Sequence, residues 1–186
     1  RFGKVSLKEV LESYFNTEIR TNSELREAEN SRFTTMMTQI LKQTDNSLCI
    51  RWLQTLKDHQ GDGYQLPRRE AAKDLDGTRH ALLQACRSLD LLEQRTQGMV
   101  RLAVLSAHAT SDPHALDSGT LCGKLFLRLL SFRSGLAVPA NAEQRDRLYY
   151  ENGILYDSIS SLVTQTGLVL LAGTAEHPAC SPFRQR

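Results

Sequence analysis

No apolar run in this chain is long enough to enter a bilayer. The longest uninterrupted stretch is "LVLLA" at 168–172, far short of the ~20 residues that a spanning helix needs. No membrane insertion is expected. A surplus of one charge is missing too: 17 Arg and 6 Lys stand against 21 acids, for a net charge of +2. The basic residues are dispersed, and the densest pair, Arg68–Arg69, is followed at once by Glu70. That balance argues against nucleic acid or an anionic membrane surface as partner.

Paired metal-binding cysteines are also lacking. Cys49, Cys86, Cys122 and Cys180 stand far apart with no CxxC or CxxH spacing, which excludes a zinc ribbon or finger. No Walker A, GxGxxG or kinase signature occurs. Neither "GDG" nor "DLDG" has the further oxygen ligands of a calcium loop. No cofactor and no metal are expected. The opening "RFGKVSLKEVLE" is charged and amphipathic from the start, unlike a signal peptide. Cys49, Cys86 and Cys122 lie in apolar helical stretches, where a free thiol acts as a small hydrophobe. A reducing, cytoplasmic setting is the expectation. The chain begins without Met and reads as a piece of a longer protein.

What is present is helical periodicity along nearly the whole length. "SLKEVLESYF" opens with a capping box, Ser6 and Glu9, and sets Leu7, Val10, Leu11, Tyr14 and Phe15 on one face. A second helix is expected from Thr21 or Ser23 to about Gln43, with Phe33, Met36, Met37 and Ile40 in its stripe. A third follows a cap among Asp45, Asn46 and Ser47. From Arg68 to about Arg95 the pattern stays helical, with "DLDGT" as a kink or break. "GTLCGKLFLRLLSFRSG" is apolar nearly all round, which marks a central buried helix at approximately 118–134, closed by Gly135. Asn141, with Gln144 three residues on, caps a last helical region carrying Leu148, Tyr149, Ile154, Leu155, Ile159, Leu162 and Val163, with Gly153 as a point of interruption. No strand-like alternation and no repeat stands out. The expected fold is therefore all-α, a single bundle of about six to eight helices over residues 1–175 with an irregular tail at 176–186.

The stretch "SAHATSDPHALDSGTLC" (106–122) gathers His108, Asp112, His114 and Asp117, a possible metal set. Pro113 breaks helical continuity there. The segment reads better as a junction in which Ser111 or Asp112 caps one turn and Asp117 or Ser118 caps the central helix. Ser118 and Cys122 lack the strand–elbow–helix context of nucleophile chemistry, so no catalytic residue is assigned. "DRLYYENGILYDS" is richer in interface chemistry. It nominates Arg147, Tyr150 and Asn152 as a partner-binding surface, with Arg133 nearby in sequence.

The functional expectation is a non-enzymatic helical module that binds another protein, of undetermined oligomeric state. The alternative is a helical regulator of a small GTPase, using Arg133 or Arg128 as a finger or the loop "HQGDGYQ" against switch residues. "GTLCGKLFLR" is similar to the glycine–leucine–arginine motif of bacterial GTPase-activating effectors. It carries Cys122 where that motif has arginine, so the family is not assigned. A metal-dependent hydrolase ranks third.

Overall fold

Eight helices carry the fold among the described residues of the computed structural model, which are 6–18, 20–60, 63–95, 98–156, 171–172 and 175–176. They are α1 (Leu7–Phe15), α2 (Asn22–Leu41), α3 (Ser47–Lys57), α4 (Gln65–Lys73), α5 (Leu75–Glu93), α6 (Leu102–Thr110), α7 (Leu121–Ser134) and α8 (Ala142–Glu151). The chain is an all-α bundle, as the periodicity predicts. It divides into two compact units, Arg1–Tyr156 and Asp157–Arg186.

Most helix starts sit where a side-chain oxygen meets the orphan N–H groups of a first turn. Ser6 and Thr21 form full capping boxes with Glu9 and Glu24. Asn46 accepts from Leu48 N and Cys49 N, and Asn141 from Gln144 N. Asp74 ends α4 and caps α5 through Gly77 N, so "DLDGT" is a break rather than a kink. At the far end of α7, Gly135 takes a left-handed φ of 66° and closes the helix, a conformation glycine adopts without steric cost.

The core forms around α5 and α7, which make the broadest helix–helix contact of the molecule. Leu82, Ala85 and Leu89 of α5 are fully covered, as are Leu125, Phe126, Leu129 and Leu130 of α7. Phe33, Met37 and Ile40 of α2 and Trp52, Leu53 and Leu56 of α3 belong to the same cluster. Each such Leu, Ile, Met or Phe side chain contributes about 1.5–3 kcal/mol on leaving water. Gly123 lets α7 come close to the preceding turn: a Cβ there would lie 2.0 Å from the Asp117 carbonyl oxygen.

Several sequence expectations change. The cap of α7 is Thr120, not Asp117 or Ser118, and the helix starts at Leu121. The hydroxyl of Thr120 accepts from Gly123 N at 2.9 Å, while residues 113–119 form successive turns. Asp112 caps one of those turns by accepting from His114 N at 2.8 Å. The last helix stops at Glu151, and the interruption open at Gly153 is realised by its φ of 74°, so Ile154 and Leu155 are not helical. Ile154–Leu155 instead form β2, parallel to β1 (Val100–Arg101), with Val100 opposite Ile154. Two-residue strands are too short to leave alternation in a sequence. In the second unit, β3 (Leu171–Ala172) pairs antiparallel with β4 (Ala175–Glu176). The helical positions Ile159, Leu162 and Val163, Cys180, and the tail from 177 onward lie outside the described residues.

Candidate functional site

Surface chemistry is uneven, and α1 is its extreme. Its apolar stripe forms as the spacing predicts, but no residue of the helix is buried. Leu7 is 75% exposed, Val10 51%, Tyr14 81% and Phe15 60%. The partly buried positions are Lys8, Leu11 and Glu12, so the helix turns a largely charged side toward the body. Lys8 Nζ lies 2.6 Å from Glu24 Oε1 in the first turn of α2. That hydrogen bond, seconded by the Thr21 N–H, holds the Glu24 carboxyl down to about 2, and Lys8 is correspondingly raised. The Tyr14 and Phe15 rings meet edge-on at 5.0 Å, which presents a two-ring aromatic step.

The four nominated residues separate into two roles. Tyr150 is 66% exposed on α8. Arg147, one turn from it on the same helix, is largely solvated and donates to Glu151 Oε1 at 2.8 Å. Asn152 is drawn into the structure as the last cap of α8. Its Nδ2 donates to the Leu148 carbonyl at 2.8 Å and to Ser134 Oγ at 3.0 Å, joining the C-terminal ends of α8 and α7. Arg133 sits 3.7 Å from Glu93 Oε1, and Glu93 Oε2 accepts from Asn46 at 2.7 Å. That chain links α3, α5 and α7.

Arg128, the other arginine singled out, is half-buried on α7. Its Nη1 donates to the Lys124 carbonyl at 2.9 Å, and its buried Nε has no partner among the described residues. Burial, and the Arg69 charge nearby, lower its pKa. In "HQGDGYQ", Gly61 and Asp62 lie outside the described residues, while His59 stacks on Tyr64 at 5.2 Å.

The 106–122 stretch is a structural knot. Ser106 Oγ donates to the Asp112 carbonyl at 2.6 Å and accepts from Leu116 N at 3.1 Å. His114 Nδ1 meets Asp117 Oδ2 at 3.0 Å on the exposed rim. Among the described residues, no group of three His, Cys, Asp or Glu side chains is placed to hold a metal ion. Cys49, Cys86 and Cys122 are buried free thiols. Burial raises Cys122 to about 12, so it stays a neutral thiol near neutral pH. No described helix is long and apolar enough to cross a membrane.

The apolar stripe of α1 was legible in the sequence, but the spacing that reads as a core face is the same for a face left open. The half-buried Arg128 gave no sequence signal beyond being a cation in an apolar run. No curated protein and no solved structure matches the chain. Residues 1–170, which contain every element from α1 to β2, match the family model described as "Protein of unknown function N-terminus (DUF3323)", and the chain belongs to that family.

Proposed function

We propose that this chain is a non-enzymatic helical module that binds another protein, with the open face of α1 as its principal contact. The observation that carries this reading is the orientation of α1. Leu7, Val10 and Tyr14, spaced i, i+3 and i+7, stand in solvent while Lys8 bonds the helix to α2. That spacing is what an amphipathic helix offers to a hydrophobic groove. Large side chains left in water forgo about 1.5–3 kcal/mol each, which docking recovers. Tyr150 and Arg147 on α8 supply a second contact of the aromatic and arginine type that concentrates binding energy.

The test compares retention of a protein partner by the immobilised chain and by its Val10→Glu/Tyr14→Glu variant. The variant should lose retention by about tenfold or more, as removal of an energetic centre does. Its thermal midpoint should not move, because neither side chain is buried. Tyr150→Ala should reduce retention less. Equal retention by wild type and the double variant sinks the reading.

A further inference from the structure

A groove runs between α3, α7 and the segment Leu136–Val138 that follows α7. Its walls are Trp52, Leu56, Phe132, Leu136 and Val138, its volume is about 270 Å³, and among the described residues the one charged side chain in its lining is Arg128. That volume is small beside the roughly 300–1,000 Å³ of pockets for drug-sized ligands. It suits inserted side chains instead. Leu136 and Val138 remain exposed along the rim.

Arg128 is the anomaly. Among the described residues no carboxylate is paired with it, and the charge acting on it is that of Arg69, which repels it. Its Nε–H is dry and unpaired, and Nη1 is occupied by a backbone carbonyl. Nη2 makes no hydrogen bond within the described structure and is not among its buried unpaired atoms. A half-buried guanidinium normally faces a carboxylate, because removing a charge from water is costly without an opposite charge. Among the described residues that compensation is missing.

We infer that this groove receives an acidic side chain flanked by apolar residues, in a peptide segment of a protein partner. The carboxylate meets Arg128 Nη2 in a charge-assisted hydrogen bond, and the apolar neighbours lie against Trp52, Phe132 and Val138. The inference rests on the protein-binding reading but uses a surface distinct from α1.

Trp52 is the only tryptophan of the chain, so its emission reports on the groove directly. The 186-residue chain is titrated with acetyl-Leu-Glu-Leu-amide and with acetyl-Leu-Gln-Leu-amide. The Glu peptide should shift Trp52 emission saturably, with a midpoint about tenfold lower than that of the Gln peptide, the scale of one hydrogen bond to a charged group. Arg128→Gln should bring the two peptides together, and Arg128→Lys should restore part of the difference. Equal midpoints, or no saturable shift from the Glu peptide by about 10 mM, overturn the inference. So does inorganic phosphate acting as strongly as the Glu peptide, which would mark a simple anion site. The wild-type comparison of peptides stands even if Arg128→Gln fails to fold. Failure here with α1-dependent retention intact removes the groove and leaves the module; loss of both removes the module.

Discussion

Helices α1 and α7 invert what amphipathicity leads one to expect. The first has a sharply one-sided apolar stripe and fully buries none of it. The second is apolar almost all round and is covered along most of its length, from Cys122 through Ser131. Each was given a stable local start, a capping box at Ser6 and a threonine cap at Thr120. The difference lies in what surrounds them. Around α7 stand α3, α5 and α8, with enough apolar surface to cover most of it. Beside α1 stands the N-terminal end of α2, where Glu24, Arg26, Glu27 and Glu29 offer charge rather than a groove. A stripe tells which residues want to leave water; the neighbours decide whether they do.

The largest effect should separate the two helices outright. Phe126→Ala, in the centre of α7, should cost about 3–5 kcal/mol by loss of transfer energy and creation of a cavity. Val10→Ala on α1 should stay within about 0.5 kcal/mol. Urea unfolding of the two variants measures both, and similar costs would show that α1 is buried in solution. Next in size is Gly123→Ala. The new Cβ would strike the Asp117 carbonyl, and the backbone has to move away, so about 1–3 kcal/mol should be lost despite the better helix propensity of alanine. An unchanged denaturation midpoint would mean that α7 does not approach the 116–117 turn so closely.

Tyr149→Phe sharpens the contrast from the opposite direction. The ring of Tyr149 is fully covered and stacks on Tyr156 at 5.6 Å, but among the described residues its buried hydroxyl has no partner. Burial raises the pKa of that phenol. Removing the hydroxyl should raise stability by up to about 1 kcal/mol, since an unsatisfied buried donor is itself costly. A clear loss in the thermal midpoint would reveal an acceptor for that hydroxyl.

The smallest effect is a local one with acid. Glu24 has a folded pKa of about 2, below the ~4.3 of an unperturbed glutamate. Its pairing with Lys8 is therefore fully present above about pH 4.3 and is lost as pH falls toward 2. Protection of the α1 amides relative to their intrinsic exchange rates should fall across that window, and α7 amides should stay protected. Equal protection of both helices down to pH 2 would mean that α1 is held by something other than this pair.

Much of the architecture was legible because capping and periodicity are local. Ser6 and Asn141 start their helices where the sequence places them, Thr21 and Asn46 are each one of the caps it offered, and Gly135 ends α7 as expected. Thr120 was passed over for Asp117 and Ser118 because all three carry cap-forming oxygens, and only the path of the turns selects among them. Asn152 looked like an interface residue for a related reason. A polar side chain after a helix serves a partner or a neighbouring helix equally well, and here Ser134 took it. Of the proposed surface, Tyr150 and Arg147 were visible as exposed interface types, whereas the groove at Arg128 joins residues some seventy positions apart.

By itself, then, the sequence determined that this is an all-α chain, where most of its helices begin, and that α7 lies at its centre. Those properties follow from hydrogen bonds and side-chain spacing within a single turn or two. Only the tertiary structure decided that most of the apolar face of α1 stays in water, that Arg133 is tied to Glu93, and that Arg128 is half-buried without a counter-charge among the described residues. Such outcomes depend on which distant segments supply an opposing apolar surface or carboxylate, and no local pattern records that.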